Sequence, residues 1–207
     1  MAYDLEEQEQ LDEFKAWWKQ HGKLISRLFV ALLVAYVAYQ AWHWYQNKQA
    51  LAGSGLYQEL VVADEKDLKT ILAKSASLMD DYSGTPYAGR AALLAAKANY
   101  QAGQAASAKA QLDWAQKNAQ ETSIRALAGL QLASILLEEK NLSGALALLN
   151  APHDAGFDGL YADLKGDVLA GLGKNAEAKA AYQEALQKLD PSGKMRAVTQ
   201  KKLEVLA

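Results

Sequence analysis

The sequence predicts an all-α protein: one N-terminal helix of membrane-spanning length, followed by a right-handed stack of about three to four helix pairs and a C-terminal capping helix. Three observations predict it. Residues 24–45 (LISRLFVALLVAYVAYQAWHWY) form an uninterrupted apolar run. The chain beyond residue 45 is rich in Ala, Leu, Lys, Glu and Gln, side chains that lose little rotamer freedom in a helix. No stretch there alternates apolar and polar residues with the β-branched enrichment of a strand.

The 22 residues of the apolar run reach roughly 33 Å at about 1.5 Å per residue, enough for a hydrocarbon core of about 30 Å. Its one full charge, Arg27, lies a turn from the N-terminal edge, where its long stem can lift the guanidinium to the headgroups. Trp42, Trp44 and Tyr45 cluster at the other end as an interfacial aromatic belt does. Lys15, Lys19, Lys23 and Arg27 lie on the N-terminal side, against Lys48 alone close by on the other. The positive-inside rule therefore keeps the N-terminus in the cytoplasm and sends the C-terminal domain across. Ala50-Leu51-Ala52 is an A-x-A tripeptide of the kind cleaved after a secretory signal. The apolar run exceeds the usual length of about 7–15 residues, however, and the region before it is long and acidic, so we read an uncleaved anchor. Ala31, Ala35 and Ala38 share one stripe of the span and are the candidate contact with another membrane helix.

Residues 1–23 read as a cytoplasmic tail, with Leu11, Phe14, Trp17 and Trp18 on the apolar side of a short helix that could lie on the headgroups. The soluble part, residues 46–207, carries 18 basic and 18 acidic side chains. That balance excludes the basic excess of a nucleic-acid binder. The absence of cysteine removes disulfide and thiol chemistry.

After the span, helix continues over 46–63, with Gly53-Ser54-Gly55 as the expected flexible point. A second helix fits 66–82, and Thr85-Pro86 then starts another with Thr85 as N-cap and Pro86 in the first turn. Helix pairs follow at 86–102 and 104–119, 122–139 and 141–150, 158–172 and 175–189, with breaks at Gly103, Lys140-Asn141 and Gly173-Lys174. A last helix over 194–206 covers the open end.

The second helix of each pair repeats one pattern: Ala108-x3-Leu112-x2-Ala115, Ala145-x3-Leu149-x2-Pro152 and Ala178-x3-Tyr182-x2-Ala185. Offsets of 37 and 33 residues bracket the tetratricopeptide period of about 34. A small residue lets the paired helices approach, and a large one a turn later fills the space beside it. The signature Trp is missing, and Lys165 stands at a position normally apolar.

The chain resembles the ancillary SecYEG translocon subunit family along nearly its whole length. The segments that carry the resemblance are EEQEQLDEFKAWWKQHGK, YSGTPYAGRAALLAAKA, AQLDWAQ and LYADLKGDVLAGLGKNAEAKAAYQEAL, in that order around one N-terminal span. The resemblance implies an inner-membrane protein with a tetratricopeptide-like periplasmic domain. It implies association with the SecYEG translocon and with a membrane-anchored parvulin-type periplasmic chaperone, and a role in handing exported polypeptides to folding factors. It brings no catalytic residue. A scaffold for another envelope or cell-division assembly is the alternative on the same fold and topology.

No enzyme, cofactor, metal or small-molecule substrate is expected. His21, His43 and His153 are scattered and make no zinc set. Gly171-Leu172-Gly173-Lys174-Asn175 lacks both the first glycine and the Ser/Thr of a phosphate loop, and reads as a turn between helices. Binding is expected on the concave side of the stack. The repeat register sends Arg90, Leu93, Lys97, Tyr100 and Gln101 there from the first repeat. Leu127, Leu130, Ser134, Leu137 and Glu138 follow from the second, though the three leucines could equally be core. Leu160, Asp163 and Asp167 complete the face from the third.

Overall fold

The computed structural model describes residues 2–64 and 67–206. Among them there are nine α-helices and one short 3-10 turn, and no strand. The chain divides into two compact units, Met1–Lys48 and Gln49–Ala207. The described residues of the first unit all belong to α1 (Ala2–Val61), an unbroken helix whose apolar stretch is long enough to cross a membrane and contains no buried residue.

In the second unit the end of α1 is followed by α2 (Leu68–Asp81), α3 (Pro86–Gln101), α4 (Ala105–Asn118), α5 (Thr122–Glu138) and α6 (Leu142–Leu149). The 3-10 turn Ala155–Phe157 leads into α7 (Asp158–Gly171), α8 (Asn175–Lys188) and α9 (Lys194–Val205). The expected start of the second helix at Lys66 lies outside the described residues. Asp67 caps α2 by accepting a hydrogen bond from the Thr70 amide at 3.1 Å. Thr85 does precede α3, with Pro86 in its first turn, but its hydroxyl donates to the Tyr82 carbonyl instead of capping the helix.

Gly53-Ser54-Gly55 stays helical, which corrects the expectation of a flexible point there. The reason is packing. Leu56, Tyr57 and Leu60 of α1 are held in one cluster with Ile71 and Leu78 of α2 and Ala91 of α3. Gly53 is buried where α1 passes the turn into α3, with space for a Cβ to make only ordinary contact with Thr85 and Tyr82.

The three later pairs are built alike. Ala108, Leu112 and Ala115, then Ala145 and Leu149, then Ala178, Tyr182 and Ala185 are all buried. Pro152 departs from the pattern: α6 ends at Leu149 and Pro152 is exposed beyond it. Each pair turns through a left-handed residue: Gly103 (φ 76°), Lys140 (φ 62°) and Gly173 (φ 74°), at the same offsets as the packing pattern. At each turn the amide after that residue reaches back to a carbonyl five residues earlier: Gln104 to Asn99 (2.8 Å), Asn141 to Leu136 (2.8 Å) and Lys174 to Leu169 (2.9 Å). These bonds satisfy carbonyls that the helix end would leave without a partner.

Facing residues compensate in volume along the stack. Ala96 pairs with Leu112 and Ala133 with Leu149 at equivalent positions, whereas the third pair has Gly166 with Tyr182. A Cβ on Gly166 would stand 2.3 Å from the Tyr182 ring, so the large ring requires the missing side chain.

Candidate interaction groove

Two adjoining cavities open along the first half of the second unit. One, of about 320 Å³, is lined by Tyr57, Leu60, Ile71, Leu94 and Ala98, with Lys97 and Gln101 at its edge. The other, of about 290 Å³, begins at the same Lys97 and Gln101 and runs over Ala96, Tyr100, Leu112, Gln131, Ser134, Ile135 and Glu138. The shared residues make them one groove, apolar along its floor and polar at its rim. α3 supplies its middle because Lys97, Tyr100 and Gln101 lie on one face of the last turns, opposite the buried Ala91, Ala92 and Ala95. The Tyr100 hydroxyl donates to Glu138 and joins α3 to α5 across the groove. That bond, followed by burial, holds the phenol above its ordinary range.

Of the residues read from the sequence, Lys97, Tyr100, Gln101, Ser134 and Glu138 therefore meet in the groove. The others go elsewhere. Leu93 packs on the core formed by α3, α4 and α5. Leu130 and Leu137 pack on the core between α5, α6 and α7, so for these two the core reading is the correct one. Leu127 is half-buried and outside the groove lining.

Arg90 makes a bidentate pair with Glu121, Nε to Oε2 and Nη2 to Oε1 both at 2.8 Å, which ties α3 to the start of α5. The hydrogen bonds hold the guanidinium above its ordinary value and the Glu121 carboxyl below its own, against the smaller opposing effect of burial.

Asp163 and Asp167 hold the expected repeat positions, but their carboxylates are bonded to α9. Asp163 is 4 % exposed and accepts from the Thr199 hydroxyl (2.7 Å) and the Lys202 ammonium (2.8 Å), both on α9. Asp167 accepts from Lys202 (2.7 Å) and from the Tyr182 hydroxyl (2.8 Å). Burial alone would lower the Lys202 ammonium, but the bonds to the two carboxylates outweigh it and leave it above its ordinary value. Burial, then the bond to Asp167, pushes the Tyr182 phenol well up. Leu160 lies nearby, in a separate cavity of about 320 Å³ shared with Leu189 and Met195. In the first unit, Ala31, Ala35 and Ala38 are exposed on α1.

The sequence reading missed Leu94, Ala98, Gln131 and Ile135, as well as the contribution of Tyr57, Leu60 and Ile71. Leu94 is the neighbour of the residue chosen, on a helix whose apolar positions crowd too closely for the pattern to separate core from groove. The end of α1 and α2 carry no copy of the repeat signature, so nothing in the pattern announced them. Among the described residues no three His, Asp or Glu side chains come together to hold a metal ion.

Residues 15–207 match the family model of the tetratricopeptide repeat-like domain. Curated relatives carry the name ancillary SecYEG translocon subunit. The one from Neisseria gonorrhoeae is 35% identical, with all of both chains covered. That from Haemophilus influenzae is 27% identical over 90% of this chain and 92% of its own. That from Escherichia coli is 23% identical over 97% of each. The chain belongs to this family. One N-terminal apolar helix in such a chain fits an inner-membrane protein, and the repeat-like scaffold points to a non-catalytic adaptor.

Proposed function

We propose that this member of the ancillary SecYEG translocon subunit family tethers an interaction domain to the inner membrane beside the SecYEG channel. Residues 1–23 are its cytoplasmic tail, 24–45 its span and 46–207 its periplasmic domain, the orientation following from Lys15, Lys19, Lys23 and Arg27 on the tail side. The α3–α5 groove receives a partner there: a membrane-anchored parvulin-type chaperone, or the exported polypeptide passed to it. The observation that carries this reading is the groove itself, which stays open where α3 meets α5 while the matching face of α7 is filled by α9.

Because the chain has no cysteine, single-cysteine variants test the topology directly. A membrane-impermeant maleimide added to spheroplasts should label Ser107→Cys and leave Gln10→Cys unlabelled; the reverse pattern rejects the orientation. Photo-crosslinkers at Tyr100 and Gln131 should capture translocon or chaperone subunits in mild detergent. Equal capture from Gln183, an exposed position on α8, would reject the groove.

A further inference from the structure

The tail carries an aromatic arc that the adaptor reading leaves unused. Leu11, Phe14, Trp17 and Trp18 of α1 are between 46% and 58% exposed. The Phe14 ring stacks at 6.2 Å on each of Trp17 and Trp18, and Trp17 meets His21 at 5.5 Å. At 3.6 residues per turn these five side chains occupy an arc of about 120°. Lys15, Lys19, Lys23 and Arg27 follow one another a turn apart, beginning at one edge of that arc. A second aromatic set, Trp42, Trp44 and Tyr45, stands at the far end of the apolar run, with the Lys48 ammonium 5.2 Å from the Trp44 ring centroid.

The helix between the two sets is unbroken. Lying flat on the headgroups would need a break ahead of residue 24. The one residue suited to it, Gly22, is buried in the helix against the Trp18 indole, where a Cβ would stand 3.0 Å from the ring. Upright, Trp18 and Trp42 are separated by about 36 Å, and Trp17 and Trp44 by about 40 Å. A bilayer with its headgroup regions is about 40–45 Å thick. The two aromatic sets therefore fall at its two faces, with Lys15 and Lys19 level with the tail-side phosphates and Lys23 about 6 Å deeper, its long stem reaching back to them.

We propose that residues 11–23 bind the lipid headgroups of the tail-side leaflet: Trp17 and Trp18 sit in the headgroup layer opposite Trp42, Trp44 and Tyr45, and Lys15, Lys19 and Lys23 bind anionic lipid phosphates. The embedded segment then begins at Trp17 and not at Leu24. This rests on the membrane-spanning reading above.

The test uses the full chain in vesicles of phosphatidylcholine with a quarter phosphatidylglycerol. One variant (Trp42→Phe, Trp44→Phe, Trp114→Phe) keeps the tail pair, and another (Trp17→Phe, Trp18→Phe, Trp114→Phe) keeps the far pair. Lipids brominated near the carbonyl should quench both pairs about twofold more than lipids brominated near the methyl end, as belt residues require. A tail pair quenched by aqueous acrylamide alone, beside a lipid-quenched far pair, overturns the headgroup site and leaves the span intact. Both pairs quenched by acrylamide alone reject the span and the proposal with it. A tail pair shielded from acrylamide yet untouched by brominated lipid assigns the arc to a protein partner instead. Lys15→Gln/Lys19→Gln/Lys23→Gln should abolish the extra tail quenching that phosphatidylglycerol brings; an unchanged response overturns the anionic-lipid contact.

Discussion

Lys97 of α3 and Asp167 of α7 hold the same place in their repeats, as do Leu93 and Asp163, each pair 70 residues apart like the turns at Gly103 and Gly173. Their environments are opposite. Around Lys97 the helix face opens into a groove, whereas Asp163 and Asp167 are filled by Thr199 and Lys202 of the closing helix. A carboxylate on the inner side of a repeat is thus no sign of a ligand when the stack ends there. It serves to dock the last helix, while the face between α3 and α5 stays open for want of such a helix.

The sharpest way to break this comparison is to remove the docking charge. Asp163→Ala leaves the Lys202 ammonium with half its carboxylate partners and the buried Thr199 hydroxyl with one acceptor fewer, and should cost about 3 kcal/mol of unfolding free energy by denaturant titration. Ser134→Ala in the groove should stay within about 0.5 kcal/mol while weakening crosslinking at Tyr100. Equal costs at the two sites would erase the distinction.

Next in size is the Gly166–Tyr182 exchange. Gly166→Ala alone should destabilise by about 1–3 kcal/mol through crowding against the ring. Adding Tyr182→Leu, which restores the Ala–Leu pairing of the other two repeats, should recover most of it in a double-mutant cycle. Additive losses would mean that the volumes are not coupled.

The turns give a smaller gain. Lys140 takes the left-handed conformation that Gly103 and Gly173 adopt freely, so Lys140→Gly should stabilise the middle repeat by about 1 kcal/mol in the same titration.

The smallest effect is at Arg90–Glu121. Glu121 is held below its ordinary 4.5, so its contribution is fully present above that value and is lost as pH falls through the depressed one. The side chains are 42% and 31% exposed, so the pair should be worth under about 1 kcal/mol. Arg90→Gln/Glu121→Gln should remove this part of the acid-side slope in stability curves recorded from pH 7 to pH 3.

These contrasts also mark what was legible in the sequence. Helix limits from Pro86 to Lys188 came within about two residues of the structure, because Pro86, Gly103, Asn141 and Gly173 impose local backbone requirements that neighbours cannot override. The small–large pattern was legible for the same reason, since it records a contact inside one helix pair. Gly53-Ser54-Gly55 misled because loose local chemistry was overruled by Leu56, Tyr57 and Leu60 packing on α2 and α3. Leu130 and Leu137 were ambiguous because periodicity gives a face and not what covers it.

By itself, then, the sequence determined the membrane-length apolar helix, the all-α class, the repeat spacing and the turns, all of which depend on residues within a few turns of one another. Only the tertiary structure decided at which repeat the shared helix face stays open. Thr199 and Lys202 reach Asp163 and Asp167 from 35 to 39 residues away, and a carboxylate's own helix carries no mark of the partner that will arrive.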